Sequence, residues 1–194
     1  MTKWDRFFDE KIKEIAKEKN ILDIGGGFRF QKGLEKYKHL FKNANYKSLD
    51  VAKEYKPDIL GDIHNLPQED GSIDAIICKA VLEHVYDPQK AVNEIHRVLK
   101  KEGKCLVYVP FLYPYHGQKK KGGYKDYYRY TDDGIRYLFR NFGSIEVCSV
   151  RGNLETILNL IPVKLIKILI PLARYLDKFL SYRQVSGYNI YLIK

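Results

Sequence analysis

Three consecutive glycines, Gly25, Gly26 and Gly27, follow the short apolar run Ile21-Leu22-Asp23-Ile24. A buried parallel strand ends this way at a tight loop, where ligand atoms can approach the backbone closely. Such a loop suits a pyrophosphate or an adenosine-bearing ligand without phosphates, and spacing separates the two. A dinucleotide fingerprint counted from Gly25 needs its third glycine where Phe30 stands, too bulky for the close helix-to-strand approach that glycine permits. No Gly-Lys-Ser/Thr follows, so a triphosphate loop is excluded as well. Two acids come next at strand ends: Asp50 in Ser48-Leu49-Asp50, and Asp62 in Gly61-Asp62-Ile63-His64-Asn65-Leu66-Pro67.

The Asp-x-Gly-Gly-Gly loop with these two acids resembles the class I S-adenosylmethionine-dependent methyltransferases, in particular the small methyltransferase-domain group. The likeness covers Asn20 to about Phe142 and reappears in the final strand. It implies that Asp23, Gly25, Gly26 and Gly27 pass beneath S-adenosylmethionine, that Asp50, with Val51 beside it, holds both ribose hydroxyls, and that Asp62 binds the adenine amine with Ile63 packed on the ring. A carboxylate suits the ribose role because each oxygen accepts a hydroxyl bond, and a charged acceptor makes the stronger one. Arg29 occupies a place where many relatives carry a further glycine, so the amino-acid end of the cofactor is expected to be held differently. The run Asp70 to Val85 looks like the fourth strand and following turn of that family. Lys79 and Ala80 would then line the cleft, with Glu83 and His84 near the reaction or serving as a helix cap and a packed imidazole.

These residues need a scaffold that brings strand ends to one edge. Short apolar runs recur at 21–24, 46–50, 58–60, 73–78, 105–109, 145–150 and 188–193, separated by helical stretches. Trp4, Phe7, Phe8, Ile12, Ile15 and Ala16 share one face of an opening helix over 4–19. Asp87 caps a second helix, with Pro88 in its first turn, predicted to run to about Lys101 before Gly103. Thr131 starts a third, over 135–141. Strand alternating with helix predicts an α/β fold with a parallel sheet covered on both faces, and the resemblance implies its Rossmann-like methyltransferase form, a seven-stranded, mostly parallel sheet with helices on both faces. The expected layout is one domain, with an N-terminal helix (1–19), a cofactor core (20–150), an amphipathic helical insert (154–183) and a final strand (187–194).

Six tyrosines fall between Tyr113 and Tyr130, in a segment similar to one seen in methyltransferases of bacterial glycan biosynthesis. Tyr113, Tyr115, Tyr127, Tyr128 and Arg129 are therefore the expected substrate wall. His84 and His116 are the candidate bases if a hydroxyl must lose a proton, since an unperturbed imidazole titrates near ~6.5. His39, His64 and His96 read as surface residues, and the lysines at 119–121 as a solvated loop tip. No metal is expected, because Cys78, Cys105 and Cys148 lie apart and no Cys/His spacing suits zinc.

Between 162 and 180 a kinked helix is predicted: Lys164, Lys167, Arg174 and Lys178 form a narrow basic stripe on an otherwise apolar surface broken by Pro171. Such a face suits an anionic membrane surface or a homodimer. Length and charge bound the rest. With 194 residues there is room for one ordinary domain, and a formal charge of +10 favours anionic partners without choosing among them. The charged N-terminus lacks a signal-peptide core. The expected location is cytoplasmic, with a peripheral place at the inner membrane face. The function implied is O-methylation of a small glycan-related or lipid-linked acceptor. RNA methylation, or a non-catalytic scaffold that binds S-adenosylmethionine, are the alternatives, with nucleic acid the less favoured partner.

Overall fold

The computed structural model describes residues 1–119, 123–180 and 183–194, apart from the Lys164 side chain. Two lysines of the expected loop tip, Lys120 and Lys121, lie outside these residues. Seven strands form one sheet: β1 (Asn20–Ile24), β2 (Asn45–Asp50), β3 (Ile59–Leu60), β4 (Ile73–Lys79), β5 (Leu99–Pro110), β6 (Ser144–Val150) and β7 (Gly187–Ile193). Their order is β3-β2-β1-β4-β5-β7-β6, and only β7 runs against its neighbours. Chain order reverses between β1 and β4, and an open α/β sheet binds ligands in the crevice at the carboxyl ends of the strands there.

Alternation along β1 supplies both layers. Leu22 and Ile24 join the core on one face with Ile76, Ile95, Phe139 and Ile190. Ile21 joins the opposite core with Ile12, Ile15, Ile77 and Tyr191. Helix α1 (Lys3–Ile15) begins with a capping box between Thr2 and Asp5, which satisfies amide groups that a helix start leaves free. Helix α2 (Pro88–Val98) is capped by Asp87 and buries Ala91, Val92, Ile95 and Val98. It stops at Val98, short of the expected Lys101, because fully buried Leu99 turns extended and pairs with Ile73 in the sheet. Helix α3 (Asp132–Leu138) starts earlier than expected, directly on its Thr131 cap.

Residues 151–186 leave β6 and return to β7 at the carboxyl edge, where Val150 and Pro110 both pair with Gly187. The expected single kinked helix is absent. In its place stand α4 (Asn153–Leu160), a 3-10 stretch (Lys164–Leu169) and α5 (Ile170–Leu176), with Pro171 in the first turn of α5. Proline suits that position because its missing N–H is one that a helix start leaves free. Asp177, at the end of α5, accepts the amides of Leu154 and Glu155 at 3.0 Å each and so caps α4. Buried Glu155 receives the Arg174 guanidinium at 2.6 and 3.0 Å. Arg174 therefore leaves the predicted basic stripe, while Leu165, Ile168, Leu172 and Phe179 remain exposed at 56–79%.

Replacing Asp177 with alanine should cost about 1–2 kcal/mol of local stability. Amide exchange is expected to accelerate across α4 while β4 and β5 stay protected. Unchanged exchange at Leu154 and Glu155 would show that the cap holds nothing.

Candidate active site

At the switch between β1 and β4 lies a cleft of about 700 Å³, lined by Gly25, Gly27, Asp50, Val51, Asp62, Ile63, Ala80, His84, His116 and Tyr127 among others. Of the expected cofactor residues, Asp23, Gly26 and Lys79 do not line it. Asp23 is buried beneath the loop and receives the Tyr46 hydroxyl at 2.5 Å. A Cβ on Gly26 would stand 2.5 Å from its Oδ2, so only glycine fits over it. Gly25 is constrained twice, by a φ of +63° and by Val81, whose Cγ2 would lie 2.6 Å from an added Cβ. Burial raises the Asp23 carboxyl to about 6, against the Tyr46 bond that lowers it. The Lys79 side chain turns to the other face of the sheet, over the Phe8 ring.

Asp50 is aimed by its own backbone surroundings. Its Oδ1 accepts the Ala52 amide at 2.9 Å and its Oδ2 the Gly27 amide at 3.2 Å. Each oxygen keeps a further lone pair for a ribose hydroxyl. Asp62 accepts the His64 amide at 2.9 Å and lies 2.6 Å from the His64 ring. Burial opposes the charge on Asp62, yet these two His64 contacts hold its carboxyl below the usual range. His64, expected at the surface, is buried and stacks on Tyr86. Arg29 points away, donating to the Tyr46 carbonyl at 2.8 Å. Lys32 closes the end of the loop instead: its ammonium donates to the carbonyls of Gly25, Lys79 and Ala80 at 2.8–2.9 Å. No spacing in the sequence marks Lys32, because its partners are all backbone.

The expected substrate wall divides. Tyr127 lines the cleft with Tyr124, which the sequence did not single out. Tyr113 lines a separate cavity of about 310 Å³ with Trp4, Phe8 and Tyr108. Tyr115 borders neither and is largely exposed, while Tyr128 donates its hydroxyl to the Tyr86 carbonyl. Arg129 is engaged within the loop. It grips Asp126 with two bonds of 2.5 and 2.6 Å and donates to the carbonyls of Tyr113, Pro114 and Tyr128. This guanidinium depresses the Asp126 carboxyl to about 2. Asp126 in turn accepts the His116 amide at 2.9 Å.

His84 and His116 meet at the cleft wall, their ring centroids 4.7 Å apart. Between and behind them lies Glu83, fully buried, with His116 Nε2 at 3.5 Å and His84 Nε2 at 3.9 Å from its Oε1. Burial raises the Glu83 carboxyl and lowers the His84 imidazole.

The fold is the one shared by solved S-adenosylmethionine-dependent methyltransferases, and residues 22–107 match the family model described as "Methyltransferase domain", a family whose cofactor is S-adenosylmethionine. Among solved structures, a SAM dependent methyltransferase from Archaeoglobus fulgidus superposes with a TM-score of 0.63 at 14% identity, covering 97% of this chain and 92% of that one. A Mesorhizobium loti methyltransferase gives 0.57 at 14% identity, with 90% of each chain covered. Among curated relatives, the demethylmenaquinone methyltransferase of Thermotoga maritima is 34% identical over 114 residues, 55% of this chain and 49% of that protein. The chain spans about half the length, or less, of the first curated relatives it matches. The cleft fits the cofactor on its own terms, through a glycine cradle that tolerates no Cβ and an oriented acid with free lone pairs.

Asp50→Ala should weaken S-adenosylmethionine binding at least tenfold in calorimetry, since each charge-assisted bond contributes about 1.5–3 kcal/mol. Binding within twofold of wild type would remove Asp50 from the ribose site. Asp23 gives a pH signature. Its folded value of about 6 exceeds an unfolded one of ~3.9. Its contribution to stability is therefore full below about pH 4 and lost as pH rises through about 6. Urea melts of Asp23→Asn should gain on wild type across that interval; parallel curves would place the Asp23 value in the ordinary range.

Proposed function

We propose that this protein transfers a methyl group from S-adenosylmethionine to a hydroxyl of a lipid-linked or glycan-related acceptor at an anionic membrane surface. The observation that carries this reading is topological. The cleft, the tyrosine segment and the uncovered apolar face of 151–186 all lie at the carboxyl edge of one sheet. The backbone ties them together, since Phe111 and Leu112 donate to the carbonyls of Ser186 and Val185. Leu165, Ile168, Leu172 and Phe179 are exposed on this insert. Lys167 and Lys178 are exposed on the same segment, and each basic residue near an anionic surface adds about 1 kcal/mol. No helix among the described residues is long and apolar enough to cross a membrane, consistent with a face that lies on the surface.

The bound cofactor supplies a methyl group already activated on a sulfonium. The protein's share is positioning, which contributes up to ~7–11 kcal/mol, and disposal of the hydroxyl proton. Asp50 and Asp62 fix the adenosine, and Tyr124 and Tyr127 wall the acceptor side. As the acceptor oxygen bonds to the methyl carbon, the carbon–sulfur bond breaks with its electrons left on sulfur. The hydroxyl proton leaves toward the Glu83–His84–His116 group. Relatives named for ubiquinone and menaquinone biosynthesis are C-methyltransferases, and quinone C-methylation is the second reading that their names favour. An RNA acceptor finds less support, because residues 151–194 hold seven basic and two acidic residues and that excess includes Lys167 and Lys178 on the exposed apolar segment.

Three measurements test the proposal. Labelled methyl groups should appear in the lipid fraction of an extract, and His116→Ala should depress turnover while cofactor affinity is kept. A variant with full turnover would exclude the imidazole as a participant. In flotation at low salt, the protein should rise with vesicles containing phosphatidylglycerol. If it stays at the bottom and elutes as a dimer, the apolar face belongs to a second copy.

A further inference from the structure

Glu83 poses a problem that its neighbours do not solve. Its side chain is fully buried, and among the described residues neither carboxylate oxygen has a hydrogen-bond donor. A buried unpaired carboxylate costs several kcal/mol, so such a group calls for a partner. The ionisable groups beside it are His116 Nε2 and His84 Nε2, with the Lys32 ammonium also near enough to favour its ionised form. Both rings are already committed at the other nitrogen. His84 Nδ1 lies 2.6 Å from the Lys125 carbonyl and His116 Nδ1 lies 3.1 Å from the Pro114 carbonyl. A carbonyl only accepts, so Nδ1 carries the proton in each neutral ring and each Nε2 presents a lone pair. With both rings neutral and Glu83 ionised, three lone-pair atoms converge without a well-formed hydrogen bond among them.

We propose that Glu83, His84 and His116 form a binding site for a divalent transition-metal cation, opening into the cleft. One carboxylate oxygen and two imidazole nitrogens all lie within 4.8 Å of one another. Tetrahedral zinc with bonds of about 2.0–2.1 Å needs ligand separations near 3.3 Å. The 3.5 and 3.9 Å pairs therefore require only small ring shifts. Two nitrogens and one oxygen select zinc, cobalt, manganese or iron(II) over magnesium or calcium. The outer shell is that of a metal site, in which ligating histidines donate their second N–H to a carbonyl or carboxylate. Here Arg129 fixes Asp126, Asp126 holds the His116 backbone, and Asp126 Oδ2 lies 3.3 Å from His116 Nδ1. His84 and His116 line the cleft while Glu83 lies beneath them. Open coordination positions thus face the acceptor.

The role of the cation rests on the methyl-transfer reading, whereas its binding does not. Coordination of the acceptor hydroxyl would lower its pKa and release its proton to solvent. The two imidazoles would then be ligands and not bases.

Full-length protein, stripped with chelator, is titrated with cobalt(II) and followed by its visible ligand-field bands. One equivalent should bind with micromolar or tighter affinity and be displaced by zinc. His116→Ala and Glu83→Gln should each weaken cobalt at least tenfold while S-adenosylmethionine affinity in calorimetry stays within threefold. Because Glu83 is buried, the half-exposed His116 variant keeps the test valid if Glu83→Gln fails to fold. Wild-type protein without bands, or a His116→Ala variant with unchanged cobalt affinity, would overturn the site. Cofactor binding that persists in that case leaves the methyltransferase reading standing, and its loss removes both.

Discussion

The carboxylate of Asp23, buried between parallel strands under a glycine, is the constraint on which the cofactor cleft depends. It receives the Tyr46 hydroxyl and lies so close to the next turn that Gly26 admits no Cβ. β1, β2 and the loop are thereby joined at one point. Tyr46 is held in place by Phe30, stacked at 4.4 Å, by the edge of Phe41 and by the Arg29 guanidinium 5.1 Å from its ring. That aromatic box occupies the region where a long helix would follow the first strand. The chain there uses turns with Phe30 and Lys32 at positive φ, then a 3-10 segment over Glu35–Phe41. A burial cost at Asp23 is accepted, and a loop floor that cannot move is the result.

Rigidity on the cofactor side contrasts with assembly from long-range contacts on the acceptor side. Glu83, His84, His116 and Asp126 come from two segments, and they meet because backbone bonds stitch the segments together. Tyr127 and Tyr128 donate amides to the Glu83 carbonyl, and the Tyr130 hydroxyl donates to the Leu82 carbonyl at 2.7 Å. Arg129 is the knot of this stitching, which explains why an arginine in an expected substrate wall is turned inward. The helical insert is organised on the same plan. Its ion pair ends on buried Glu155 and its Asp177 cap is buried, while Leu165, Ile168, Leu172 and Phe179 stay outside beside Lys167 and Lys178.

Much of this was legible beforehand for one reason: strands and glycine loops are local. Each of the seven apolar runs became a strand, the run at 58–60 only as the two residues Ile59–Leu60, because short apolar runs between turn signals admit few other fates. Asp50 reached the cleft as the last residue of β2, and Gly25, Gly27 and Asp62 as loop residues just past the ends of β1 and β3 at the same sheet edge. Side-chain direction one residue further on was not legible. Lys79 is the last residue of the fourth strand and not the first beyond it, and strand alternation sends it to the opposite face, toward Phe8.

The sequence by itself pointed to the class of fold, to its cofactor and to two acids that line the cleft, since period and glycine placement express themselves within a few residues. Tertiary structure alone decided which polar side chains are free. His64 and Arg129 look available in sequence and are occupied, by Asp62 and Asp126. Glu83 looks like a helix cap and is instead a buried acid facing two imidazoles. Such pairings depend on distances between segments far apart in the chain, which hydrophobic patterning does not encode. They are fixed only when the packed sheet sets where each loop must close.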